Sequence, residues 1–422
     1  VRQADPSHNT PFHEPAARYP GKTGDQRMIN EKLNQAVRIL KEKDIDLWIT
    51  YVRETASTPD PILDLILGAH VVWPSAFILT KQGEKIAIVG SLDVQNVKDH
   101  AEYEVVGYVD SIKPGLIKLL SRIDPQRIAL NFSQSDCMAD GLSHGLFLNL
   151  LDMLKGSSFE TRLESSESIV AALRGRKSQT EIEYIRGAIK ETLSIFNEVT
   201  CYVKAGMTEF DVAGFIRDVM KTRNLEAAWD PDQCPAVFTG PDSAGAHAAP
   251  TGRKIEPGHI MNIDFGVRFQ GYVSDLQRTW YFLRKNEVAP PESVQKGFRV
   301  IYNAIQKAAE YLVPGIEGWR VDEVARNHIT EAGYADFPHA LGHQVGRKAH
   351  DGSTLLCPKW ERYGNLPYSK VETGQVFTLE PRLTVPGHGV ATIEEIVAVH
   401  DYETVFLSEP QKELWVIEYG KK

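Results

Sequence analysis

The run VFTLEPRLTVPGHGVATIEEIVAV (residues 376–399) constrains the fold of this chain more than any other stretch. It reads as two apolar, β-prone segments joined by Pro386-Gly387-His388-Gly389. Yet Glu380 interrupts the first segment, and Glu394 and Glu395 interrupt the second. Apolar strands of this kind belong in an interior, where an unpartnered carboxylate is costly. The fold must therefore bring these acids a partner, and a metal ion is a common one. Alternation does not choose between Glu394 and Glu395, because a central strand can be buried on both faces.

A second acid-bearing pair of segments is HIMNIDFGVRFQGYVSDLQRTWYF (259–282), which alternates around a turn near Phe269-Gln270-Gly271 and predicts a hairpin. Asp264 and Asp275 fall on opposite arms, as direct or diagonal neighbours with Cβ atoms roughly 5–8 Å apart. Two like charges that close need a cation or a shared proton. The segment HALGHQVGRKAHD (339–351) adds His339, His343 and His350, with Gly342 and Gly346 permitting close backbone approach. Histidines 259, 328, 388 and 400 lack such company and read as ordinary core or surface residues. The pool is thus four carboxylates and one or more imidazoles. That donor set suits hard or borderline cations such as Mn²⁺, Co²⁺, Fe²⁺ or Zn²⁺. A pair of cations about 3.5–4 Å apart would activate a water and polarise a carbonyl, which is peptide or amide hydrolysis.

The chain of 422 residues is long for one core, so two domains are expected. A polar tail (1–27), rich in Pro and His, precedes a compact α/β unit over 28–165. There, helical spacing of Ile29, Leu33, Val37 and Leu40 leads to a strand at Leu47–Val52, and two further strands flank Gln82-Gly83 as a hairpin. The polar stretch 163–168 marks the boundary, and the second domain runs over 166–422. It opens with Ser178-Gln179-Thr180-Glu181, a capping box. Two blocks within it repeat a pattern: a long helix ends at a glycine (Gly206, Gly315) and a second amphipathic helix follows. This implies two similar halves. A net charge of −9 speaks against a nucleic-acid or anionic-membrane surface, and no apolar run reaches membrane-spanning length. The four cysteines (137, 201, 234, 357) are too widely spaced for a zinc pattern and read as free or buried thiols. The tail fits either a cytoplasmic protein or one left in the periplasm or outside the cell after signal removal, so localisation stays open.

The order Asp264, ten residues, Asp275, then His343, Glu380 and Glu394 resembles the ligand signature of the pita-bread metallopeptidases (family M24), the group of aminopeptidase P, prolidase and methionine aminopeptidase. Local context agrees in DFG…GYVSD, GHQVGRKAHD, TLEP and IEEIVAV. The resemblance covers nearly the whole chain. It implies an α/β (α+β) fold: a creatinase-like N-terminal α/β domain, then a pita-bread catalytic domain with an internal pseudo-twofold repeat. Methionine aminopeptidases lack the N-terminal domain and fit less well. The resemblance assigns Asp264, Asp275, His343, Glu380 and Glu394 as ligands of two divalent ions, Mn²⁺ first, with Co²⁺, Zn²⁺ or Fe²⁺ as other candidates. Its spacing selects Glu394 and leaves Glu395 as a hydrogen-bonded neighbour.

The same resemblance implies a catalytic role for Glu380 as proton carrier for a metal-bridging hydroxide. His350 would contact the substrate carbonyl or scissile amide, His247 would stabilise the intermediate, and His339 would lie by the substrate pocket. The implied protein is a homodimeric exopeptidase acting on small peptides at Xaa-Pro bonds, as an aminopeptidase P or a dipeptidase, with no nucleic acid and no membrane as partner. The sequence departs from prolyl-specific relatives at four positions: Arg382 and Thr384 replace a Gly and a Tyr, Thr392 replaces an Arg, and Gln277 replaces a Thr. Alternatives are a metal-dependent hydrolase of another amide or ester, a metal-free amidinohydrolase and a non-catalytic binding homologue. The intact set of five ligand-type residues argues against the last two.

Overall fold

The structure is a computed structural model that describes residues 26–243 and 249–420. His247 and nearly all of the polar tail lie outside the described residues.

The first unit is built on a six-stranded mixed sheet. Its spatial order is Glu104–Tyr108, Lys85–Gly90, Ser75–Thr80, Leu47–Val52, Ile128–Leu130 and Leu163–Ser165. Leu47–Val52 is buried along its whole length because its side chains alternate between two cores. Trp48 and Val52 meet helices Gln26–Glu42 and Glu167–Gly175 on one face. Leu47, Ile49 and Tyr51 meet helices Lys113–Ile123 and His144–Leu154 on the other. The expected hairpin at Gln82-Gly83 is present, with Ile78 opposite Ile86.

The second unit begins with helix Gln179–Tyr202, whose capping box at Ser178 and Glu181 is complete. The Glu181 carboxylate also receives Lys32 Nζ at 2.8 Å and the Tyr272 hydroxyl at 2.9 Å, so the helix start is clamped between the two units. The two-half organisation is visible bond by bond. In the first half Gly206 N donates to Ile255 O and Ile255 N donates to Met207 O, both at 2.8 Å. In the second half Gly315 N donates to Val371 O and Val371 N donates to Ile316 O, again at 2.8 Å. Each half then supplies its second helix, Glu209–Thr222 or Gly318–Glu331, and a strand with an acid at or just beyond its C-terminal end. Ile260–Phe265 carries Asp264, and Val376–Leu379 runs directly into Glu380.

The central sheet of this unit orders Trp415–Ile417, Leu276–Phe282, Ile260–Phe265 and Ala236–Thr239. Beside it lie Val376–Leu379 paired with Glu395–Val399, and Arg382–Val385 paired with Gly389–Thr392. Two apolar cores flank these sheets, one around Phe196, Phe265 and Trp280, the other around Phe298, Ile301 and Phe377.

Candidate metal centre and active-site cleft

The hairpin predicted over 259–282 folds with Gln270-Gly271 as a two-residue turn, both residues at positive φ as this turn requires. Its register sets Asp264 opposite Gln277, which makes Asp275 the diagonal neighbour of Asp264. The two carboxyl groups share a hydrogen bond. Gly266 is required beside them: a Cβ there would meet Ser274 O at 1.8 Å.

Glu380 follows the last residue of strand Val376–Leu379, and its backbone N–H donates to Leu341 O at 2.8 Å. That bond lays the His343 segment alongside. Gly342 permits the approach, since a Cβ there would meet Thr378 O at 1.9 Å. His343 Nε2 then lies 3.1 Å from Glu380 Oε1 and 3.8 Å from Asp275 Oδ2. Glu394 precedes strand Glu395–Val399, and its N–H donates to Gln277 O at 3.2 Å. Ligand-type atoms of Asp275, His343 and Glu394 all lie within 4.8 Å of one another. Asp264 and Glu380 join the group through the bonds just described. All five residues named from the sequence therefore meet in one place, on or beside strands of the second unit.

Glu395 goes elsewhere. It receives the Arg278 guanidinium at 3.1 Å, the Ser408 hydroxyl at 2.5 Å and Gln411 N–H at 2.9 Å, a complete buried partnership.

The cluster itself is electrostatically open. Burial, followed by the charge of Glu380, pushes Asp264 up to about 7. Burial and the charges of Asp264 and Glu380 raise Asp275 well above the carboxylate range, and burial with the charges of Asp275, Glu380 and Asp264 does so for Glu394. Glu380 is the exception: burial opposes its ionisation, but the hydrogen bond and charge of His343 hold it below its ordinary value. His343 is raised in return by Glu380, against burial. Among the described residues, buried Asp264 Oδ1 and Glu394 Oε1 have no hydrogen-bond partner. Orphaned buried oxygens beside raised pKa values are what a carboxylate cage for cations presents when protein partners alone are counted. The donor set fits divalent metal.

The cluster opens into a cleft of about 530 Å³. Trp229, Phe238, Leu355 and Tyr363 form much of its apolar wall, and His339 and His350 reach into it. The His350 ring stands edge-on to His343, with centroids 4.2 Å apart. His339 places Nδ1 2.8 Å from Ala340 O, and its backbone carbonyl accepts from Arg326 at 2.9 Å.

Two of the departing residues meet each other. The Thr392 hydroxyl lies 3.1 Å from Gln277 Oε1, while Gln277 Nε2 donates to Glu394 Oε2 at 3.0 Å and to Glu380 Oε2 at 3.4 Å. Gln277 thus bridges Glu394 and Glu380. Thr384 points to solvent, whereas Arg382 lines the cleft.

Sequence reasoning missed the aromatic wall and a buried brace behind the histidine loop. Asp351 Oδ1 accepts Arg174 Nε at 2.9 Å, and its Oδ2 accepts Arg347 N–H at 2.8 Å with Lys177 Nζ at 3.3 Å. This ties the loop carrying His343 and His350 to helix Glu167–Gly175, which packs into the core of the first unit. The only sequence signal was the basic run RGRK (174–177), distant from the acid it serves. Trp229 has no periodic pattern around it.

The sequence pattern of metallopeptidase family M24 matches residues 183–401. An uncharacterised peptidase of Staphylococcus aureus (strain bovine RF122 / ET3-1) is 27% identical over 327 residues, spanning 77% of this chain and 84% of that protein. Among solved structures, an X-Pro aminopeptidase from Thermotoga maritima MSB8 superposes with a TM-score of 0.66 at 23% identity, over 91% of this chain and 99% of that one. An Xaa-Pro dipeptidase from Bacillus anthracis gives 0.69 at 21% identity, over 92% and 99%. At this identity the structural likeness establishes the fold: a pita-bread unit preceded by a smaller α/β unit.

Proposed function

Since this chain belongs to metallopeptidase family M24, and is therefore a metal-dependent peptidase, we propose that it is an exopeptidase that hydrolyses Xaa-Pro bonds in short peptides with two divalent cations. The observation that carries this reading is the closed group of Asp264, Asp275, His343, Glu380 and Glu394 at the floor of an apolar-walled cleft, with oxygens of Asp264 and Glu394 left unpartnered. These five residues would hold the cations. The oxygen-rich set favours Mn²⁺, and Co²⁺, Zn²⁺ or Fe²⁺ also suit it. When bound, the cations supply Lewis acidity, polarising the scissile carbonyl and making a water nucleophilic at neutral pH.

The chain's own residues supply the rest. Glu380 is held ionised by His343, so it can take the proton of the attacking water and pass it to the leaving amine. His350, at the mouth beside His343, is placed to donate to charge developing on the carbonyl oxygen. His247 is assigned the same task and lies outside the described residues. His339 borders the pocket, and Trp229, Phe238 and Leu355 offer apolar walls for a pyrrolidine ring while excluding water. A homodimer is proposed on the family resemblance. The test is a cleavage profile on Xaa-Pro dipeptides and longer Xaa-Pro peptides, with the protein loaded in turn with Mn²⁺, Co²⁺ and Zn²⁺. Release of the N-terminal residue from at least one class supports the reading. Hydrolysis of none contradicts it.

A further inference from the structure

Arg382 is a charged side chain without a counterpart. It lies half-buried in the wall of the site cleft, and among the described residues its guanidinium forms no ion pair and donates to no carbonyl or carboxylate. Leaving a guanidinium partly desolvated and unpaired is unfavourable unless something arrives to pair with it. The backbone fixes why it points there. In strand Arg382–Val385, Leu383 and Val385 turn into the apolar core, so Arg382 takes the other face, opposite Thr392 and beside Val390. Both of these partners line the cleft as well. Arg382 is also only two residues from Glu380, which bounds their Cα separation at ~7 Å. The acid at the floor is already satisfied by His343 and Gln277, and it does not bond the guanidinium. His339 also lines the cleft and is within electrostatic reach of Arg382.

We propose that Arg382 is the anion anchor of the cleft and pairs with the free C-terminal carboxylate of a dipeptide, making this chain a dipeptidase. The inference rests on the peptidase reading above. A peptide whose scissile carbonyl sits over the floor carries its next carbonyl carbon about one residue further on, a span of ~3.6 Å. In a dipeptide that next group is the terminal carboxylate, within the reach of a side chain as long as Arg382. A guanidinium fork suits a carboxylate in bidentate fashion, whereas a peptide carbonyl offers one oxygen and no charge. Longer peptides would leave the guanidinium unpaired and pass less readily.

The test compares Ala-Pro with Ala-Pro-amide, which differ at the carboxylate alone, in the metal-loaded wild type, R382Q and R382K. Binding of L-proline and L-prolinamide by calorimetry gives a readout without turnover. The expected result is an acid-over-amide preference in kcat/KM of about tenfold or more, the range of a charge-assisted hydrogen bond. It should be carried mainly by KM, be erased in R382Q and be partly kept in R382K, with L-proline favoured over L-prolinamide in the same pattern. Equal handling of acid and amide by the wild type, or an equal loss on both substrates in R382Q, overturns the proposal. Ala-Asp-amide against Ala-Asn-amide tests a side-chain carboxylate instead; an Arg382-dependent preference there, with none for Ala-Pro over its amide, also overturns it. Absence of turnover combined with an Arg382-dependent preference for L-proline would sink the peptidase reading and uphold the anchor. Absence of both would sink the two together.

Discussion

Glu394 and Glu395 are consecutive and both buried, yet their side chains go to opposite destinations. Glu394 faces the acid cluster, where its Oε1 has no partner among the described residues, while Glu395 closes a salt bridge with Arg278 at 3.1 Å. One residue of offset on a strand reverses the face and, with it, the role.

Matched substitutions should therefore separate the two. Glu394→Gln is expected to lower metal affinity and hydrolysis by at least about a hundredfold, the upper end of what loss of an outer contact does, with little loss of fold. Glu395→Gln removes the countercharge of a buried arginine and should cost ~3–5 kcal/mol of stability. Its metal content should stay at the wild-type level. Equal effects of the two on metal content would refute the division.

Gln277 bridges Glu394 and Glu380 through one amide. Gln277→Leu keeps the volume and removes both donors, so metal affinity should fall roughly 10–100-fold. Thr392→Val, which removes the hydroxyl that orients the amide oxygen, should give a smaller loss in the same direction. Competition titration against a chromogenic chelator reads both variants.

The brace behind the histidine loop predicts an acid-side instability. Burial alone would raise Asp351, but the charges of Arg174 and Lys177 hold it far below the usual carboxylate range. Because the folded pKa is depressed, its stabilisation is present above the unfolded value of about 3.9 and is lost as pH falls below it. Asp351→Asn leaves two buried cations unpaired and should cost ~3–5 kcal/mol at neutral pH. Between pH 5 and pH 3 its melting temperature should fall less than that of the wild type, since the titrating group is gone.

Metal removal should invert the usual pH trend at the cluster. Asp264 is pushed to about 7, and Asp275 and Glu394 lie well above the carboxylate range. With folded values raised, their contribution to the metal-free protein is complete below about pH 4 and is lost as pH rises through 7. The stabilisation gained on adding Mn²⁺ should therefore be larger at pH 8 than at pH 5, and binding should release protons. Melting curves with and without chelator at the two pH values check the first. Calorimetry in buffers of different ionisation enthalpy checks the second.

Much of this was legible in the sequence, for physical reasons that can be named. Periodicity located helix Gln26–Glu42 and strand Leu47–Val52, and the Ser178 capping box marked the start of Gln179–Tyr202. Acids set into apolar strands pointed to the cluster, although choosing Glu394 over Glu395 needed the resemblance. What stayed hidden had weak local signals. Strand Glu104–Tyr108 is a sheet edge with mixed exposure and carries Gly107. Ala236–Thr239 is only four residues long. The pairing of Gln277 with Thr392 joins positions that looked like separate losses, and only the packing of two sheets brings them together. Arg174 and Asp351 are 177 residues apart, and a charge pair at that separation leaves no pattern in the chain.

The measurement closest to the central claim is metal content by mass spectrometry, paired with Ala-Pro and longer Xaa-Pro peptide hydrolysis, for the wild type and Asp264→Ala. Asp264 is chosen because its Oδ1 is buried and has no hydrogen-bond partner among the described residues. Two divalent ions per wild-type chain, with loss of at least one ion and of hydrolysis in the variant, is the predicted result. A variant that kept both its metal and its activity would contradict the account.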